Sequence, residues 1–384
     1  MPGLAPVANA RSTCRRYSLA ITAVSALSLF HGISATHAHG QSPKASSTAA
    51  SVRALDGRRF RADSFWVRQW IRGGSSDAER FVEPRYMVVV DDAVVVLDVG
   101  TREVSAFDAR TGSLRFSMAA RGEGPGEFKR PSLLLARGTE FGVVDQATAR
   151  LTMFSSRGAY LTDTPLTDAI ALEGACLMSG GQLVAKVTGF DRALRTLDTS
   201  GIIRAQRSLP APRRTSDNAT FVSSAYVAGP AGQAACAIVP RFGSSWYVVA
   251  PSAAPIPHPY IEPGTDPSIE PTVKTLEKDW RSEIRTVTEI SNIPPIARGA
   301  LTIGDTLIVQ AGATKRSPYL LLDYYHVPTG QYVYSRRLFA VFSALTMGAD
   351  GAFYGALIGD ENSAVVAFRP SIRRPAQNRA SGIR

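Results

Sequence analysis

Too little histidine remains in the body of this sequence to build a site from three imidazoles. Of five histidines, His31, His37 and His39 lie in an N-terminal leader, which leaves His258 and His326. Cysteine is as sparse: Cys14 falls in the same leader, so the mature chain keeps Cys176 and Cys236. A long apolar run is missing too. The most apolar stretch, Leu19 to Phe30, is interrupted by serines and falls short of the ~20 apolar residues that a membrane span needs. With Arg11, Arg15 and Arg16 ahead of it and small residues running on to Gln41, it reads as a secretory signal peptide over residues 1–40. The chain is therefore expected to be secreted or periplasmic, with no integral membrane span after cleavage. Arg15 and Arg16 are followed by Tyr-Ser-Leu, a weak twin-arginine signal, and no cysteine stands at the cleavage point for a lipid anchor.

A polyanion-binding face is also lacking, although the formal net charge is +11. The leader holds three arginines and no acid, which leaves +8 for the mature chain, and Arg369, Arg373, Arg374, Arg379 and Arg384 crowd the C-terminal end, which leaves +3 for the body. That is too little for nucleic acid, and no nucleic-acid partner is expected. Residues 41–57, rich in Ser and Ala, read as a disordered linker, and 370–384 as a basic disordered tail.

What is present is a repeat. "RGGSSDAERFVEPRYMVVVDDAVVVLDVGTREVSAFDARTGSLRFSMA" and "RGEGPGEFKRPSLLLARGTEFGVVDQATARLTMFSSRGAYLTDTPL" follow one plan. Phe81 and Phe128 each precede a proline, Pro84 or Pro131, by three residues. Two apolar strands then lead to Asp98 or Asp145, a third ends at Phe107 or Phe154, and a glycine turn at Gly112 or Gly158 opens a fourth. Four short strands make one propeller blade. Weaker copies follow: a third turning at Gly201, a fourth without its last glycine turn, a fifth turning at Gly330, and a sixth with three strands. Residues 65–71, "FWVRQWI", precede the first glycine-rich corner as "LRFSM" precedes the second, so they are expected to supply the missing outer strand and close the ring.

The corner "RGEGPGEFKRP" resembles the blade-to-blade corner of six-bladed β-propellers of the secreted NHL-repeat or TolB-like type. The resemblance is strong over the first two units and topological over the rest. It implies an all-β fold over residues 58–369, six four-stranded blades with an N-terminal strand closing the last. The corner is not a phosphate cradle: Glu127 stands where a dinucleotide fingerprint wants glycine, no Lys-Ser or Lys-Thr follows, and Glu123 and Glu127 would repel phosphate. Between the fourth and fifth units, Ile269, Val273, Leu276, Trp280 and Ile284 recur at helical spacing, with Ser268 as cap and Pro271 in the first turn. This pattern predicts an inserted amphipathic helix over about 268–285.

Chemistry is harder to find. Propellers of the lactonase type hold a metal in the channel with Glu, Asp and Asn, and NHL-type lyases use histidines. Two histidines cannot supply the second pattern, and Asn218, Asn292, Asn362 and Asn378 avoid the expected inner strands. No G-x-S-x-G elbow occurs. Asp98 and Asp145, at one repeat position, suit a shared structural role in bonding turn N–H groups. Arg85, Tyr86, Arg130, Glu173, Tyr226 and Arg298 fall at or near the starts of inner strands, where a propeller's rim takes ligands. Cys176 and Cys236 are expected on adjacent blades, and their apolar company suits either a disulfide or buried free thiols. The expectation is an exported binding or interaction module with no identified catalytic centre and no cofactor or metal, its partner an unknown protein or small ligand at the rim. The alternative is a secreted metal-dependent hydrolase or lactonase with a divalent ion in the channel.

Overall fold

A computed structural model describes residues 59–61, 65–74, 81–118, 122–166, 172–178, 180–187, 193–209, 225–229, 235–240, 245–251, 253–261, 272–280, 283–291, 297–311, 321–358 and 363–371. The expected leader and linker lie outside these residues, as does the tail beyond Ser371.

Strand β1 (Phe65–Gly73) comes first and belongs to the last blade. Blade one is β2 (Pro84–Val90), β3 (Ala93–Asp98), β4 (Glu103–Asp108) and β5 (Leu114–Met118). Blade two is β6 (Pro131–Arg137), β7 (Glu140–Asp145), β8 (Arg150–Ser155) and β9 (Tyr160–Pro165). Blade three is β10 (Leu172–Leu177), β11 (Leu183–Val187), β12 (Ala193–Leu197) and β13 (Ile203–Ser208). Blade four is β14 (Ala225–Ala228), β15 (Cys236–Pro240), β16 (Ser245–Val249) and β17 (Ile256–Pro259). A separate hairpin, β18 (Thr272–Trp280) and β19 (Glu283–Ser291), precedes blade five, which is β20 (Ala297–Ile303), β21 (Thr306–Ala311), β22 (Leu321–His326) and β23 (Gln331–Arg337). Blade six joins β24 (Ala344–Met347), β25 (Phe353–Leu357) and β26 (Ala364–Ser371) to β1. All pairings between these strands are antiparallel, and the first strands of successive blades neighbour one another in a closed circle, β2–β6–β10–β14–β20–β24–β2. This is a six-bladed β-propeller.

Burial follows from that geometry. A middle strand has a blade on each side, so both of its faces are covered, and "AVVVLD" of β3 is buried at every residue. An outer strand sits where the blades splay apart, and "LRFSM" of β5 is mostly exposed. Apolar clusters fill the wedges between neighbours. Val95, Leu97, Phe128, Phe141 and Phe154 lie between blades one and two, and Trp246, Leu307, Val309 and Tyr325 between four and five. Cys176 and Cys236 are bonded in the wedge between blades three and four, their Cα atoms 6.1 Å apart, with the Met178 sulfur 3.8 Å and 3.2 Å from the two cysteine sulfurs. A Cβ on Gly229 would overlap the Cys176 sulfur, so this wedge needs glycine at that point.

Closure runs through β1, which pairs with β26 from Phe65 opposite Ser371 to Gly73 opposite Ala364. The strand is also tied sideways: Trp66 Nε1 donates to the Arg337 carbonyl of blade five at 2.6 Å, and Trp70 Nε1 to the Ala109 carbonyl of blade one at 3.0 Å. Pairing with β1 gives the last blade its fourth strand, so that every blade ends in the same short outer edge.

The corner reads as expected at Phe128, which is buried between the first two blades, and at Pro131, which opens β6. Only one of its glycines needs a left-handed backbone: Gly126 has φ of 78°, whereas Gly124 does not. Gly124 instead donates its N–H to Glu127 at 2.9 Å, so the acid that would repel phosphate fastens the corner. Asp98 and Asp145 do the same job twice. Asp98 accepts from the N–H groups of Val82, Glu83, Gly100 and Thr101, and Asp145 from those of Lys129, Arg130, Ala147 and Thr148. Each buried carboxylate thereby clasps the loop entering its blade to the turn leaving its second strand. Asp145→Ala is expected to cost about 2–3 kcal/mol, because several backbone donors lose an ionised acceptor at once; the denaturant midpoint should fall with an unchanged slope.

The inserted segment corrects the sequence reading. Among the described residues between blades four and five there is no helix, and the backbone forms the β18–β19 hairpin, with Val273 opposite Ile290 and Leu276 opposite Val287. Ser268 and Pro271, offered as helix-start signals, lie outside the described residues. Helical spacing was real over 269–284, but the stretch from Ile284 to Ile290 is rich in β-branched residues. A second strand with that composition gives the first a partner along its whole length, which overrides local periodicity.

Candidate functional site

The starts of the inner strands gather at one mouth of the channel. Ser343, just before β24, donates its hydroxyl to the Pro84 carbonyl at the start of β2 at 2.8 Å. Gln146 Nε2 reaches the Leu172 carbonyl at the start of β10 at 3.4 Å, and a Cβ on Gly174 of β10 would press on Val227 of β14. Here the ladder is irregular in a repeated way. The register slips between Pro84 and Tyr86, Pro131 and Leu133, Leu172 and Gly174, and Ala297 and Gly299. The residue left out of the pairing is Arg85, Ser132, Glu173 or Arg298. A bulge frees a side chain from the alternation of its strand, and here it does so at one level of four blades.

The expected rim residues are therefore distributed by rule. Arg85, Glu173 and Arg298 are bulge residues, and Tyr86 follows the bulge in blade one. Tyr226, opposite Val239, holds the place of Tyr86 in blade four, which stands across the ring from blade one. Arg130 stands one residue before β6, exposed, with its backbone N–H on Asp145 at 3.1 Å; the bulge place in blade two belongs to Ser132.

Charge at this mouth is mostly neutralised locally. Arg85 pairs with Glu83, its Nε 2.8 Å from Oε1. Glu173 pairs with Lys186 Nζ at 3.6 Å, and Lys186 is fully buried on β11, where it also donates to the Val187 carbonyl. Burial pushes the Tyr86 hydroxyl above its usual titration range; Arg85 opposes the shift, and Tyr226 and Glu83 add to it. Tyr86 is thus a neutral hydrogen-bond donor at any physiological pH.

Sequence reading missed Lys186 and the equally buried Gln310 of β21. Each lies opposite the glycine that follows a bulge, Gly174 or Gly299. The signal was available: Lys186 inside "LVAKV" and Gln310 inside the apolar run of "TLIVQA", both in second strands. Among the described residues, no group of three or more His, Cys, Asp or Glu side chains is placed to hold a metal, and no helix is long and apolar enough to cross a membrane.

No family model and no curated protein matches the chain. Solved structures do resemble it. A Bacteroides fragilis protein thought to be exported aligns at a TM-score of 0.50 with 13% identity, over 81% of this chain and 96% of that one. A member of the DUF4221 family from Bacteroides vulgatus aligns at 0.53 with 8% identity, over 79% and 98%. Virginiamycin B lyase from Staphylococcus aureus aligns at 0.44 with 10% identity, over 79% and 99%, a likeness too distant to carry a functional argument. What these neighbours share with the chain is the fold.

Proposed function

We propose that the chain is an exported β-propeller of the NHL-repeat or TolB-like type that acts as a binding module, taking a protein or small ligand at the channel mouth where the inner strands begin. The observation that supports this reading is the repeated bulge. It places a polar residue at the same level of four blades, Arg85, Ser132, Glu173 and Arg298, beside Tyr86 and Tyr226. The recurrence of these bulges at one end of the ring suits recognition. In this reading the leader is removed, the body over 58–369 folds as one unit, and binding requires no cofactor.

The test is capture from the source organism's own exported fraction on immobilised mature protein. The variant Arg85→Glu/Tyr226→Ala should lose the bound species, whereas Leu114→Asp/Ile202→Asp, altered at exposed sites on the outer rim, should keep it. The opposite pattern would move the binding surface to the rim. Metal analysis of the same preparation addresses the rival enzyme: stoichiometric bound Ca²⁺ or Zn²⁺ would favour a hydrolase over a module.

A further inference from the structure

Blades three and five share an arrangement that the other four lack. In each, the bulge residue is charged, the next residue is glycine, and the second strand places a buried polar side chain opposite that glycine. At the matching place the other blades have Leu97, Val144, Val239 and Ala356, all buried and apolar. In blade three the two polar residues carry opposite charges and form an ion pair, Glu173 Oε2 with Lys186 Nζ at 3.6 Å. In blade five they do not. Arg298 stands beside Gln310, a neutral residue, and both Arg298 Nε and Gln310 Oε1 are buried without a hydrogen-bond partner among the described residues. Gln310 Nε2 is used, reaching the Phe342 carbonyl at 3.4 Å. A buried polar atom left unmatched is uncommon in a native fold and calls for an ordered water or a ligand. Among the described residues no acid lies within ion-pair distance of Arg298, whose neighbour in the register is an uncharged amide.

We infer that Arg298 is the anchor of an oxyanion subsite at the channel mouth, taking a carboxylate or phosphate group of the ligand. The inference rests on the mouth being the binding surface. Guanidinium is suited to the task, since its planar fork matches either group and keeps its charge at every accessible pH. Arg85 and Lys186 are already paired with acids, Glu83 and Glu173, which lowers their pull on an anion relative to Arg298. Tyr86, held protonated, adds a neutral donor to the mouth without adding charge. Gln310 acts as a positioning residue: being neutral, it leaves the charge of Arg298 for the ligand, where an acid would consume it, as Glu173 consumes that of Lys186.

Titration calorimetry at fixed ionic strength, with N-acetylglycine and inorganic phosphate as probes and N-acetylglycinamide as the uncharged control, tests this. Saturable binding of one of the two anions to the mature protein is expected, with none of the amide; the anion that binds identifies the headgroup class. Arg298→Met should weaken that binding at least about tenfold, the worth of one lost charge-assisted contact. Gln310→Glu, which supplies an internal counter-charge, should abolish it while circular dichroism and melting temperature stay native. If Gln310→Glu fails to fold, Gln310→Met, which keeps the site uncharged, should fold and retain anion binding. Undiminished binding by Arg298→Met, or no anion binding by the unaltered protein, would overturn the subsite. Loss of capture by Arg85→Glu/Tyr226→Ala in the same preparations would then show that the mouth still binds and that only the oxyanion assignment has failed.

Discussion

A chain that begins at Arg59 should fold, and one that begins at Gly74 should aggregate. The second truncation removes β1, so β26 keeps an unpaired edge along its whole length, and the side chains of Trp66 and Trp70 are lost from the junctions with blades five and one. Trp70 is almost fully buried, in a cluster with Val94, Phe107, Tyr354 and Val365. Domain stabilities lie at about 5–15 kcal/mol, and losing a full strand with two anchoring indoles removes more than that margin supports. An intermediate start at Ser64 separates closure from a lesser contact. It deletes the bridge between Phe60 and Ser335 on the edge of blade five but retains β1. That variant should stay soluble with a modestly lowered melting temperature. Equal solubility and melting for the Arg59 and Gly74 starts would contradict closure by β1.

Reduction of the Cys176–Cys236 bond should produce the other large effect. The bond closes a loop with a sequence separation of 60, for which the chain-entropy account gives about 4 kcal/mol of stabilisation, less any native strain. The double variant Cys176→Ala/Cys236→Ala should therefore unfold at a distinctly lower denaturant concentration than the oxidised protein. Non-reduced, alkylated protein should yield a linked peptide pair by mass spectrometry. Two alkylated cysteines would end the assignment, and with it the argument that Gly229 is glycine to make room for the bond.

Blades one and two were legible because each feature of their repeat has a separate physical task. Phe81 and Phe128 fill wedges, Asp98 and Asp145 clasp backbone N–H groups, and the turn glycines meet a neighbour. Gly201, at that turn in blade three, has φ of 75°, and a Cβ there would overlap the Pro165 carbonyl of blade two. Blade four was harder to read, since its outer strand is "IPHP" and no glycine marks the turn before it. Proline is tolerated there because an outermost strand has one side without ladder bonds. The hairpin at 272–291 was illegible for a different reason: its first half carries a helical period, and only its pairing partner, further along the chain, decides the outcome. At the mouth, the six expected residues fall at or near the starts of inner strands, but the sequence is blind to register. A bulge cannot be seen in a single strand's sequence: Arg130 stands just before β6, as expected, while the bulge place in blade two belongs to Ser132. The buried Lys186 and Gln310 escaped because an apolar run draws attention to its length and not to its one polar residue.

The claim that binding occurs at the mouth is tested most directly by site-specific photo-crosslinking in the source organism's exported fraction. A benzophenone amino acid placed at Tyr86 or Ser132 is compared with one placed at Tyr160, on the exposed outer strand of blade two. The account predicts a discrete adduct from the two mouth positions and none from Tyr160. Adducts from Tyr160 alone would contradict it.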